Sequence, residues 1–160
     1  MIRNLHLNFI SAFLIGIFIT SCGFKVVDRS RLSNFEISEI NTKGDKKVGY
    51  IIRNKLMLYS SSGGKELISI NLDGTKKKIV REKNIKNEIT KYQISIIADV
   101  KYSLNNKEKI YQFSKSKTAD YNVQTKISDT LNNEKRLIKL LTESLAQEIV
   151  DELIVSINAI

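Results

Sequence analysis

Tyr92-Gln93-Ile94-Ser95-Ile96-Ile97-Ala98-Asp99-Val100-Lys101-Tyr102-Ser103-Leu104 is the stretch on which the fold turns. Every even position is apolar or aromatic, and every odd position except Ile97 is polar. Successive side chains of a strand point to opposite faces. The alternation therefore predicts one long strand with a buried face and a wetter face. Such a strand needs neighbours for its backbone and a layer over its apolar side.

Neighbours are legible on both sides. Asn105-Asn106-Lys107 turns the chain, and Lys109 to about Lys117 reads as a further strand with Tyr111 and Phe113 on one face. Tyr121-Asn122 follows at its end. Upstream, Lys65 to Leu72 places Ile68, Ile70 and Leu72 on one face and ends at the turn signal Asp73-Gly74. Phe35-Glu36-Ile37-Ser38 reads as a short first strand, followed by a turn over Asn41-Thr42-Lys43-Gly44-Asp45. Lys76 to Ile89 is charged and aperiodic, and reads as a long hairpin connection or a loop.

Two helices supply the covering layer. Val48, Ile51, Ile52, Leu56 and Tyr59 fall on one helical stripe, with Asp45 as a candidate N-cap and Ser60-Ser61-Ser62-Gly63-Gly64 as the stop. Gly49 inside that stripe weakens it by up to about 1 kcal/mol relative to Ala. Ile138, Leu141, Leu145, Ile149, Leu153 and Ile157 repeat at i+3 and i+4, and Leu137, Ala146 and Ile154 widen the stripe. With Asp129 or Asn132 as cap, this last helix spans about 26 residues. The order is β-α-β-β-β-α. It predicts an α+β two-layer sandwich, a mixed sheet of about four strands with two helices. The links between the second, third and fourth strands suit antiparallel pairing.

The N-terminus has another character. Arg3 precedes the apolar run Phe9 to Ile19, and Ile19-Thr20-Ser21-Cys22-Gly23 closes it. A basic residue, an apolar run of secretory length, two small residues and a cysteine form the bacterial lipobox pattern. The reading is a signal peptide over residues 1–21, a lipidated N-terminus and tether over 22–33, and one domain over 34–160. Cys22 would carry a diacylglycerol by thioether and an acyl chain on its freed amine. The run is short for a span of roughly 20 apolar residues.

Composition then narrows the chemistry. From Cys22 onward there are 25 Lys and Arg against 17 Asp and Glu, a formal balance of +8. There is no Pro or Trp, and the sole cysteine is taken by lipid. The only histidine, His6, falls in the signal segment. This excludes Cys–His and Ser–His catalysis and the usual zinc sites in the mature chain. No Gly-rich phosphate loop, nucleophile elbow or carboxylate cluster stands out. The expectation is a non-enzymatic protein without a metal or a cofactor beyond its covalent lipid.

Several of these residues, taken in order, resemble the LptE family, the lipopolysaccharide-assembly lipoproteins of Gram-negative outer membranes. They are Cys22-Gly23-Phe24, Asn54-Lys55-Leu56, Tyr92-Gln93-Ile94 with Leu104, Tyr121-Asn122, and Leu145-Ala146-Gln147-Glu148-Ile149. The resemblance extends over essentially all the mature chain. One departure is Lys25-Val26-Val27, where family members often carry a proline. The resemblance implies an outer-membrane lipoprotein on the periplasmic side that plugs a β-barrel partner, LptD, and binds lipopolysaccharide. The other class to weigh is a stand-alone lipid carrier or structural envelope lipoprotein; a carrier needs a closed apolar cavity, which usually takes more strands.

The charged stretch fits a polyanionic lipid. Lys76, Lys77, Lys78, Arg81, Lys83, Lys86 and Lys91 meet only Glu82 and Glu88. Clustered cations attract phosphorylated lipid A electrostatically. Lys77, Lys78, Arg81 and Lys83 are the candidate lipopolysaccharide-binding residues, with Lys126 brought to the same end if the third and fourth strands pair. The bland alternative is a solvated loop enriched in Lys by genome composition. Nucleic acid is not expected as a partner, because few aromatics interleave the cations and the chain is exported. In the last helix Lys135, Arg136 and Lys139 lie near the start and Glu148, Asp151 and Glu152 near the end, against the helix dipole. That arrangement fits either cations placed beside the basic stretch or an acidic wall on a partner.

Overall fold

The computed structural model describes residues 35–105 and 108–159. The signal, lipidation and tether readings, Cys22 included, lie outside the described residues. Six elements follow in order: β1 (Phe35–Gly44), α1 (Lys46–Met57), β2 (Glu66–Lys83), β3 (Ile89–Leu104), β4 (Ile110–Asn122) and α2 (Ile127–Asn158). The sheet order is β1-β2-β3-β4. β1 and β2 are parallel, joined through α1, and the other two pairs are antiparallel. This is the expected α+β two-layer sandwich with a mixed four-stranded sheet.

β3 carries the alternation as read. Ile94, Ile96, Ala98, Val100, Tyr102 and Leu104 are buried beneath the helices. They meet Ile68, Ile70 and Leu72 of β2, Val48, Ile52 and Leu56 of α1, and Leu145, Ile149 and Leu153 of α2 in one core. Burying a side chain of this size stabilises by about 1.5–3 kcal/mol. The odd residues face away from the helices, and no described element covers that face.

α1 starts where expected. The Asp45 carboxylate accepts from the Lys47 and Val48 amides at 3.0 and 3.1 Å. Gly49 is buried, and a Cβ there would sit 3.2 Å from the Thr42 Cβ, so the glycine allows close packing on β1.

Boundaries in five elements differ from those expected from sequence: β3 starts at Ile89 rather than Tyr92, and β1, β2, β4 and α2 differ as follows. β1 runs on through 41–44, read as a turn, because pairing with β2 holds it in register to Gly44↔Gly74. Asp73-Gly74 lies inside β2. Gly74 is small because α1 crosses it: a Cβ would meet Val48 Cγ1 at 2.9 Å. Its carbonyl also accepts the Asp45 amide at 2.6 Å. The 76–83 segment is strand, held by its ladder to β3. Residues 76–88 are all exposed, so no burial alternation marked it in the sequence. β4 extends to Asn122, pairing Tyr121 with Tyr92.

α2 begins at Ile127 after Lys126, ahead of both proposed caps, and spans 32 residues. Its first turn is tied down by Thr130, whose buried hydroxyl accepts the Gln124 amide at 2.8 Å. Asp129 sits in that first turn, where the helix dipole favours a carboxylate.

Candidate functional site

At about 3.3 Å per residue, the 18 residues of β2 extend over roughly 55–60 Å. The described chain enters at Phe35, beside Glu66. The β2–β3 turn lies at the opposite end. There the Asn84 carboxamide oxygen accepts the Lys86 and Glu88 amides at 2.9 and 3.0 Å. Asn87 adopts a positive φ of 63°, a conformation Asn tolerates better than most residues. Its side-chain oxygen accepts from Lys83 Nζ at 3.0 Å. Ile85 stands at the apex, fully exposed.

The expected cations gather at this hairpin end, in different circumstances. Lys76 and Lys78 continue the helix-facing row of Ile68, Ile70 and Leu72. They end in ion pairs, Lys76 with Asp45 at 3.1 Å and Lys78 with Glu134 of α2 at 2.6 Å. Arg81 is the extra residue of a β-bulge and lies 3.8 Å from Asp120. Lys91 pairs with Glu82. Among the described residues, Lys77, Lys83, Lys86 and Lys126 make no ion pair, Lys83 donating only to Asn87. Lys126 does lie at this end, because β3 and β4 pair and the Val123 amide donates to the Thr90 carbonyl at 2.9 Å.

Lys78 belongs to a small cluster. Its ammonium lies 4.1 Å from the Tyr92 ring centroid and 5.6 Å from that of Tyr121. The two rings stack at 5.7 Å. The Tyr121 hydroxyl and Lys78 both donate to Glu134 Oε2, each at 2.6 Å. Burial pushes the Glu134 carboxyl up, but the hydrogen bonds from Lys78 and Tyr121 outweigh it, and the carboxyl titrates below its ordinary range. Burial pushes the Lys78 amine down, while Glu134 and Tyr121 more than reverse this and raise it. Burial and the Glu134 carboxylate raise the Tyr121 phenol. Lys78 therefore ties β2 to α2, and a ligand would have to break that pair to use it. Tyr92, Tyr121 and Glu134 lie 14, 43 and 56 positions from Lys78, so their contact with it leaves no local signal in the sequence.

Two of the acids late in α2 form ion pairs within the chain. Glu152 pairs with Lys115 at 2.8 Å, and Glu148 pairs with Lys117, both lysines on β4. The facing strand compensates these two carboxylates, while Asp151 accepts from Gln147 Nε2 at 2.8 Å within the helix.

Two concavities lie away from the hairpin turn. One of about 700 Å³ crosses the uncovered sheet face, lined by Asn41, Lys43, Asn71, Asp73, Asp99 and Lys101 among others. The other, of about 310 Å³, lies between Tyr102, Tyr111, Phe113 and the end of α2 at Glu152 and Ser156. Among the described residues, no three potential metal ligands cluster. No described helix is long and apolar enough to cross a membrane.

No family model matches the chain, and no curated protein is significantly similar to it in sequence. Solved structures are similar. Rare lipoprotein B of Shewanella oneidensis superposes with a TM-score of 0.57 at 11% identity, over 74% of this chain and 95% of that one. A candidate lipoprotein of Caulobacter crescentus gives 0.53 at 12% identity, over 82% and 95%. An uncharacterised lipoprotein B of Nitrosomonas europaea gives 0.52 at 9% identity, over 78% and 86%. At these identities the likeness is one of fold, and the fold is shared along nearly the whole length of proteins described as lipoproteins.

Proposed function

We propose that this chain is a non-enzymatic outer-membrane lipoprotein of the LptE type. It would be anchored through Cys22 on the periplasmic side and assist an LptD-like β-barrel in delivering lipopolysaccharide. The observation that carries the reading is the fold shared with rare lipoprotein B. The lipobox pattern and the LptE-like residues support it. The filled interior supports a rigid plug over a carrier, since Ile68, Ile96, Leu145 and Ile149 close the space between sheet and helices.

The basic hairpin end is the proposed contact for the phosphates of lipopolysaccharide. Lys77, Lys83, Lys86 and Lys126 are the freest to reach an anion, since among the described residues none is held by a carboxylate. Arg81 is loosely held. Lys78 is committed to Glu134 and serves mainly to place the hairpin.

Co-purification from outer membranes tests the partner. A stoichiometric β-barrel is expected, and recovery of the lipoprotein alone would favour the carrier reading. Intact-mass measurement tests the anchor: the wild type should carry lipid on Cys22, and Cys22→Ala should remain unprocessed. For the ligand, Lys77→Gln/Lys83→Gln/Lys86→Gln should weaken lipopolysaccharide binding at low salt, and the difference should fade as salt is added. Equal binding by both proteins would return these lysines to a solvated, Lys-rich surface.

A further inference from the structure

The hairpin end carries apolar side chains that a simple phosphate site would not need. Ile85 is 104% exposed, at the apex of a turn held in shape by Asn84. Lys83 and Lys86 flank it. Lower on the same end, Val123 and Ile127 are exposed around Lys126, on the β4–α2 connection. The apex is convex, and both concavities described above lie elsewhere. A convex apolar tip with a collar of cations cannot enclose a single acyl chain. It matches the profile of an anionic lipid surface, with an apolar side chain below the headgroups and lysines level with the phosphates.

We propose that this end docks on the surface of packed anionic lipid, with Ile85 entering the headgroup–acyl boundary and Lys83 and Lys86 holding the headgroups. This rests on the same basic end as the glycolipid reading, but not on lipopolysaccharide being the lipid. The occupant is a lipid surface. Charge supplies the argument. Of the seven cations across residues 76–91, four are held by carboxylates, whereas Lys77 and, beside the apex, Lys83 and Lys86 make no ion pair among the described residues.

The chain has no tryptophan, so one placed at the tip reports alone. Ile85→Trp, in the full chain, is mixed with vesicles of phosphatidylcholine with or without phosphatidylglycerol. The expected result is a blue-shifted emission, quenched by brominated acyl chains, only when phosphatidylglycerol is present. Leu58→Trp, exposed at the other end of α1, should stay water-like. Lys83→Gln/Lys86→Gln in the Ile85→Trp background should lower the immersed fraction by about fivefold per lysine at low salt. A tip tryptophan that stays water-like on anionic vesicles overturns the proposal. So does equal immersion of the Leu58→Trp probe, which would mean non-specific adsorption. The vesicles hold no lipopolysaccharide, so lipopolysaccharide binding by a tip that remains in water would remove this inference and leave the proposed function standing.

Discussion

β2 is one strand with two environments. From Glu66 to Gly74 it pairs with β1, from Ile68 onward also with β3, and Ile68, Ile70, Leu72 and Gly74 are buried under the helices. From Thr75 to Lys83 it keeps only β3, and from Lys76 every residue is exposed. The first half is held by burial. The second is held by its ladder, by the Lys76–Asp45 and Lys78–Glu134 pairs, and by a cation stacked on tyrosine. Backbone pairing is enough to keep a strand in register, but apolar coverage decides how much stability each side chain contributes. The exposed half is also an edge beyond the end of β1. Its lysines and the bulge at Arg81 are features that discourage edge-to-edge pairing with other chains.

The difference is sharpest in truncations. Ile70→Ala, from a side chain 1% exposed, should lower unfolding stability by about 2–5 kcal/mol, and Leu145→Ala and Ile149→Ala on the opposing helix by a similar amount. Val80→Ala, in the exposed half, should cost under about 1 kcal/mol. Denaturant titration of the pair checks the contrast, and equal losses would break it. Overpacking the covered half comes next. Gly74→Ala pushes a methyl onto buried Val48 and should cost about 1–3 kcal/mol by the same measurement.

The junction between the halves is marked by Asp45, which caps α1 and pairs with Lys76. Asp45→Ala should cost about 1 kcal/mol, most of it from the cap. The Lys78–Glu134 pair should show the smallest effect. The Lys78 side chain is more than a third exposed, so a double-mutant cycle with Lys78→Met and Glu134→Gln should give a coupling of about 1 kcal/mol or less.

Its pH dependence has a definite sign. Glu134 is depressed below its ordinary value of 4.5, and Asp45 below 3.8. For Asp45, burial pushes the carboxyl up, and the Val48 and Lys47 amides with Lys76 more than offset it. Depressed acids contribute stability that is present above those ordinary values and is lost as pH falls through the folded ones. Lys78 and Tyr121 are raised, so their contribution is present below their ordinary values of 10.5 and 10.0 and lost as pH rises through the folded ones. Thermal melts across the acid range should therefore show Glu134→Gln less sensitive to acid than the wild type. An identical acid limb in both proteins would show that the pair adds nothing.

The covered half could be read because burial writes a period into sequence. Ile68, Ile70 and Leu72, and the even positions from Tyr92 to Leu104, alternate because a core takes every second side chain. α2 repeats at i+3 and i+4 for the same reason. The exposed half could not be read, since solvent imposes no period on Lys76 to Lys83. Gly74 misled because a glycine needed for helix contact looks, in one dimension, like a glycine needed for a turn. At the hairpin end the cations were visible as a cluster. That Lys78 is held by Glu134, and that Lys77, Lys83, Lys86 and Lys126 make no ion pair among the described residues, was invisible, as was the exposure of Ile85.

The sequence alone determined the element order, the two-layer α+β class and the buried faces of β3 and α2, because local periodicity and the need to bury apolar area are enough to set them. It also determined where positive charge concentrates along the chain. Only the tertiary structure decided how far β1, β2 and β4 extend, where Gly74 sits, and which cations remain available. Each of these depends on contacts between residues distant in sequence: Gly44 against Gly74, Lys78 against Glu134, Val123 against Thr90. Such contacts are set by how the layers close over one another, and no local stretch records them.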